Sequence, residues 1–259
     1  MQNTSKLYQD LLAGPHSVET RLVIGESGRL ITKGGDTITF GGDRILVGSS
    51  GPDGGFDESI LCSMSTSSQL FAANTPVVGS CVSSEIDVLF FKTAGDVPRQ
   101  ARLVPYVRLT NGTQHSEWIQ KGVFYVDTRE LIEDNSGLKK IALHGYDAML
   151  TAERAYPDSK LDWPARDVDV VYEIAAAMNV PVDSRTVEAM DMNYTVPYPA
   201  EYTCRETLGY IAAMYAGCFT MSNLGELRLV PLYGLPAETR YLVNESRAAI
   251  TFGGDRILV

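Results

Sequence analysis

The chain has 259 residues, room for two domains and a sizeable hydrophobic core. Its 32 Asp and Glu against 22 Lys and Arg leave a formal charge of −10 with no Lys/Arg-rich run, which excludes a surface built to grip nucleic-acid phosphates and suits one over which DNA passes without sticking. No stretch reaches the roughly 18 apolar residues that a membrane helix needs, and MQNTSKLYQD is not a charged and then apolar signal, so cytoplasmic synthesis without a membrane anchor is expected.

In chain order, TSKLYQDLLAG at 4–14 predicts a short helix. Thr4 or Ser5 can cap it, Leu7 and Leu11 share a face, and Gly14-Pro15 stops it. From residue 18 the periodicity becomes that of strands: TRLVIG and LIT form one expected hairpin, TITF and RILV around GGD a second. A Gly-rich loop, GSSGPDGGFDES, follows. Its Asp53, Asp57 and Glu58 lack the spacing of a calcium loop. Beyond Thr75 the strands lengthen into SEIDVLFF, ARLVPYVRLT, SEWIQKGVFYVDT and LKKIALHGY, with turns at Asn111-Gly112 and DNSG, which predicts an antiparallel sheet curling into a barrel over 18–149.

After Asp147 the pattern turns helical. AMLTAERA is a short helix ended before Pro157. Asp167 is the expected cap of DVDVVYEIAAAMNV, whose Val171, Ile174, Ala175 and Met178 fall on one face. Thr203 and Glu206 form a capping box in front of TLGYIAAMYAG, read as a helix ending at Gly217. CFTMS and LRLVPL around NLGE make a hairpin, and residues 150–232 are a small α+β domain.

Residues 1–17 are a lead-in and 233–259 repeat an earlier segment. ITFGGDRILV at 38–47 recurs without change at 250–259, and ETRLVIGES at 19–27 matches ETRYLVNES at 238–246 in five of nine positions. Two matching blocks in the same order mark a duplicated structural unit. The fold class expected is therefore mixed β and α+β: an antiparallel β-barrel, a small α+β domain, and the opening strands of a second barrel.

The polar residues assemble no catalytic signature: GxSxG, HExxH, Walker and GxGxxG are all missing, and the cysteines Cys62, Cys81, Cys204 and Cys218 contain no CxxC pair. These thiols are expected to be reduced and mostly buried. Cys204, at the first turn of a helix and pairable with His115 or His144, is the one nucleophile candidate. The capping box explains that site without catalysis, and His144 in IALHGY reads as structural. Glu85 and Asp87 mark the outer face of a strand, while Trp118, Phe124 and Tyr125 read as core and rim. No catalytic residue, cofactor or metal site is expected.

PYVRLTNG, SEWIQKGVFYVDTRE and LHGYDAML, then YPDSKLDWPARDVDVVYEIAAAMNVPVD and YTCRETLGYIAAMYAGCF, resemble structural tail proteins of prophages from gut Firmicutes. They are similar to the baseplate hub, or tail-associated, family of tailed phages. Phrases such as GVFYxDTR and YTxRExLGYIAA identify a family and not a reaction. The resemblance implies a tail-tube-like first barrel and a virion protein of the tail tip, made in the host cytoplasm. It further implies three chains with paired barrels in a ring that continues a sixfold tube, around a channel through which DNA passes without specific binding. Expected partners are distal tail and tube proteins, the tape measure and tip proteins. The chain departs from the family where a second barrel is only begun, so it is expected either to be a piece of a longer hub or to seat its last strand elsewhere. Two rivals are a peptidoglycan-degrading tail enzyme using Cys204 and a receptor- or glycan-binding tip module suggested by Trp118, Trp163 and the 13 tyrosines. The residues expected at a protein interface are those of the repeated segment: Ile250, Thr251, Phe252, Arg256, Ile257 and Val259.

Overall fold

The computed structural model describes residues 4–25, 28–29, 39–40, 43–44, 46–47, 55–72, 75–91, 97, 100–133, 137–232, 251–252 and 255–256. Helix α1 (Lys6–Ala13) begins where the Ser5 hydroxyl accepts from the Tyr8 amide, and it buries Leu11. Strand β1 (Ser17–Gly25) follows. Then come four two-residue strands, β2 (Gly28–Arg29), β3 (Thr39–Phe40), β4 (Asp43–Arg44) and β5 (Leu46–Val47). β2 pairs β5 and β3 pairs β4, both antiparallel, so the expected TITF–GGD–RILV hairpin forms. The TRLVIG–LIT hairpin falls partly outside the described residues, and β1 instead finds its partner far along the chain.

That partner belongs to the main sheet, formed by β1, β6 (Leu61–Ser67), β7 (Glu85–Phe91), β8 (Arg102–Thr110), β9 (Ile119–Gln120), β10 (Phe124–Glu133) and β11 (Lys139–Asp147). The order is β1-β8-β10-β11-β7-β6, with β9 also on β8, and every pairing is antiparallel. The alternation Glu85-Ile86-Asp87-Val88 is the reason β7 has one wet and one dry face: Ile86, Val88 and Phe90 are buried, Glu85 and Asp87 exposed. The turn after β8 is set by the Asn111 carboxamide, which accepts from the Thr113 and Gln114 amides, and by Gly112 at φ +88°. SEWIQKGVFYVDT is not one strand. It breaks at Lys121–Val123 into β9 and β10.

The sheet is curled. Phe56, on the approach to β6, exchanges two backbone hydrogen bonds with Leu22 of β1 (2.8 and 2.7 Å) and stacks on Phe90 of β7, ring centres 5.9 Å apart. The two ends of the sheet thus meet over a core of Leu22, Ile86, Phe90, Leu103, Phe124 and Leu143. Among the described residues, this single bridge joins β1 to the segment before β6, and β1 and β6 themselves form no ladder, so the sheet is not closed.

A second core lies beyond Asp147. A 3₁₀ helix (Ala148–Glu153) leads through β12 (Ala165–Arg166), paired with β13 (Thr195–Val196), to α2 (Asp167–Met178), α3 (Ser184–Ala189) and α4 (Cys204–Met214), and then to the hairpin of β14 (Gly217–Met221) and β15 (Leu227–Pro231). Val171, Ile174, Ala175 and Met178 are all buried there, as their spacing predicts. The Thr203–Glu206 capping box is present, with the Glu206 carboxylate accepting from the Thr203 amide at 2.8 Å.

Two boundaries differ from expectation. Asp167 is the first residue of α2 and not its cap; its buried carboxylate accepts from the Tyr215 hydroxyl at 2.6 Å and the Val168 amide at 2.7 Å. Helix α4 stops at Met214, three residues before Gly217, because Ala216 takes the positive φ (+43°) and Gly217 opens β14. Two elements carry no sequence signal that reveals them: β6 is Ser-rich with only Leu61 buried, and α3 is a six-residue turn started by the Asp183 carboxylate accepting from the Arg185 amide. The last strands, β16 (Thr251–Phe252) and β17 (Asp255–Arg256), form an antiparallel pair.

Phe90 is fully buried in the sheet core and bears the stacked Phe56 that joins the sheet's ends. Phe90→Ala is therefore expected to lower stability by about 3–5 kcal/mol in urea denaturation; a loss under about 1 kcal/mol would show that Phe90 is not central to this core.

Candidate interaction site

The repeated decapeptide adopts the same pairing twice. Thr39 lies opposite Arg44 and Phe40 opposite Asp43; Thr251 lies opposite Arg256 and Phe252 opposite Asp255. A Gly-Gly pair separates the strands in both copies, the residue type a two-residue hairpin loop favours. Of the expected interface residues, Thr251, Phe252 and Arg256 stand in this ladder, whereas Ile250, Ile257 and Val259 lie outside the described residues.

The nucleophile chemistry weighed for Cys204 does not assemble. Its thiol is fully buried, its Sγ donates to the Ala155 carbonyl at 3.8 Å, and burial raises its pKa, the reverse of what an attacking thiolate needs. The histidines are engaged elsewhere: His144 Nδ1 lies 2.8 Å from Asp87 directly across the β11–β7 ladder, and His115 lies 3.4 Å from Glu19. Cys81 and Cys218 are also buried and Cys62 is exposed. Asp57, weighed for calcium, accepts from the Ser59 hydroxyl and amide, and Glu58 accepts from the Thr20 amide. Asp53 lies outside the described residues.

The aromatics separate by role. Phe124 enters the sheet core, while its neighbour Tyr125 packs on the second core. Trp118 is half-buried under the guanidinium groups of Arg21 and Arg108, 4.9 and 4.4 Å from the ring centre, beside a cleft of about 260 Å³ lined also by Glu19, Thr20 and Glu58.

A second cleft, about 220 Å³, runs between the two cores, lined by Thr66–Ser68, Ser84, Lys121–Phe124, Asp147 and Met221–Asn223. Asp147 sits at its floor, with one carboxylate oxygen accepting from the Ser84 amide (2.8 Å) and the other from the Met149 amide (2.9 Å). From α4, Arg205 donates to the carbonyls of Cys81 and Met149 and lies 2.7 Å from Glu153. Arg205 stands in YTxRExLGYIAA and Asp147 in LHGYDAML, but neither phrase assigns them this contact.

The sequence matches no family model and no curated protein. Among solved structures the chain is similar to a 43 kDa tail protein of prophage MuSo2 from Shewanella oneidensis, at 11% identity and a TM-score of 0.47, over 88% of this chain and 59% of that one. It is also similar to a tail protein from Neisseria meningitidis MC58 (8% identity, TM-score 0.45, 90% and 53% covered) and to the half-lidded Francisella PdpA-VgrG complex (8%, 0.42, 82% and 31%). The chain thus spans between about a third and three fifths of those chains. With TM-scores all under 0.5, these likenesses carry no argument about what the chain does.

Burial pushes the Asp147 carboxyl up to about 6 from 3.8, against the pull of its two amide donors and Arg205. With the folded value above the unfolded one, the associated stability is fully present below about pH 4 and is lost as pH rises through about 6. At roughly 1.4 kcal/mol per unit, the loss is at most about 3 kcal/mol. The Asp147 carboxyl carbon resonance is expected to titrate with a midpoint near 6; a midpoint at or below 4 would mean that its amide partners outweigh burial.

Proposed function

We propose that this chain is a structural protein of a phage or prophage tail: a component of the baseplate hub at the tail tip that continues the tail tube as a ring around the DNA channel. One observation carries the reading. Within ten identical residues that recur far apart in the sequence, Thr-Phe pairs Asp-Arg in the same register in both copies, the mark of a repeated unit. Paired related units allow three chains to match a sixfold tube, and three copies per ring is the arrangement proposed.

The curl that brings Phe56 to Leu22 supports a barrel-like, tube-forming first domain at 18–149, and the separate second core supports a small α+β domain at 150–232. Residues 233–259 would then begin the second barrel. The net charge of −10, with Glu85 and Asp87 on an exposed sheet face, supports a channel wall that repels phosphate, so that DNA passes unbound. Partners would be tube, tape-measure and tip proteins, and the site of action the virion.

Two experiments test this. Gold-labelled antibody against the chain is expected at the distal end of the tail; label confined to the head, or absent from particles, would overturn the reading. In the repeated segment, β16 and β17 pair with each other and with no third strand among the described residues, and an isolated hairpin is marginal in water. Deleting 250–259 is therefore expected to weaken association with tail proteins at least tenfold in pull-down titrations while leaving the thermal transition in place. Loss of the transition with association unchanged would make the segment core and not connector.

A further inference from the structure

The second core carries on its outside a chain of aromatic rings that its packing does not consume. Tyr198, Tyr202 and Tyr210 are 43%, 45% and 59% exposed, far more than side chains of that size keep when they serve only to fill a core. Tyr198 meets Trp163 at 5.1 Å, and Tyr202 meets Tyr210 of α4 at 5.2 Å. The two pairs are joined by the short loop Tyr198–Tyr202, whose Tyr202 carbonyl accepts from the Tyr156 amide and so holds the loop on the core.

Charge on this face is mixed with carboxylates in excess: beside the tyrosine segment, the 154–173 stretch that it packs on brings the exposed cations Arg154 and Lys160 and the carboxylates Asp158, Asp162 and Glu173. Between residues 198 and 210 stand two exposed carboxylates, Glu201 between the tyrosines and Glu206 one helical turn before Tyr210, and a single cation, Arg205. Arg205 is turned inward onto Cys81, Met149 and Glu153, which takes one cation off the outer face and adds to its excess of carboxylate.

Ring orientation selects among ligands. The contacts at Trp163–Tyr198 and Tyr202–Tyr210 are inclined at 65° and 69°, so the rings form no coplanar row on which the flat face of a sugar could stack. Inclined rings flanked by carboxylates suit a guanidinium or ammonium group set over individual ring faces. The molecule uses that chemistry internally, where Arg21 and Arg108 lie over Trp118.

We propose that the Tyr198–Tyr202–Tyr210 face is a docking site for an Arg- or Lys-bearing segment of a partner protein. The site is independent of the tail reading, since it follows from the face alone.

The test uses the full chain, an octa-arginine peptide, an octa-glutamate peptide and a neutral chitotetraose, followed by calorimetry and by the tyrosine ring resonances. Saturable octa-arginine binding that shifts the Tyr202 and Tyr210 signals is expected, weakened about five- to thirty-fold in the double variant Tyr202→Ala/Tyr210→Ala. Affinity should be unchanged in Glu188→Gln, an exposed carboxylate on α3 that controls for diffuse charge. Glu201→Lys, on the exposed loop, should weaken binding in the same direction without relying on the fold of the double variant. Three outcomes overturn the proposal: no saturable octa-arginine binding; equal affinity in the wild type, Tyr202→Ala/Tyr210→Ala and Glu201→Lys; or binding of chitotetraose at these tyrosines.

Discussion

Two hydrophobic cores in one chain meet at a junction of polar contacts that sets their register, and a buried carboxylate stands at its centre beside the backbone hydrogen bonds that tie Gly79 and Ser80 to β14. Asp147 ends β11, the strand between β10 and β7, and its two oxygens fix the segment entering β7 through Ser84 and the helix leaving β11 through Met149. Arg205 grips the same two segments from the far side, at Cys81 and Met149. A carboxylate taken out of water is costly unless its lone pairs are met. Here two amides meet them in part, since burial still holds the carboxyl up at about 6, and the geometry that eases the charge is the geometry that joins the two segments.

The same junction explains choices that look arbitrary along the strands. Phe124 and Tyr125 are neighbours on β10, so they point to opposite faces and serve different cores. Gly145 on β11 lies across from Val126, beside the bulge between Val126 and Thr128; a Cβ there would sit 2.5 Å from the Tyr125 carbonyl oxygen, so any larger residue would push β10 and β11 apart. The cleft over Asp147 is what remains where two curved surfaces meet around a polar contact.

Much of this was legible because local signals agreed with the global fold. The alternation in SEIDVLFF, the 3.6-residue spacing of Val171, Ile174, Ala175 and Met178, and the Thr203–Glu206 box each name an element and its buried face. What stayed hidden was decided at a distance. Strand β6 is Ser-rich and owes its existence to hydrogen bonds with β7; β1 pairs β8 across more than seventy residues; Asp167 reads as a cap until Tyr215 claims its carboxylate. Asp147 and Arg205 stand in LHGYDAML and YTCRETLGYIAA, yet their roles follow from which segments the fold brings together. The exposed tyrosines 198, 202 and 210 are ordinary in sequence, and the inward turn of Arg205, which adds to the excess of carboxylate around them, is decided by the fold.

On the proposed reading, the repeat is the means of assembly. Identical sequences seat on identical edges, so a chain presenting ITFGGDRILV twice offers its neighbours two equivalent arms, and three such chains offer six. Copy number within the assembled tail therefore tests the account most directly. Electron cryo-microscopy of the intact particle is predicted to show three copies of this chain in a threefold ring at the tip, with carboxylates prevailing on the channel wall; six copies in one sixfold ring, or a wall lined mainly by Lys and Arg, would contradict it.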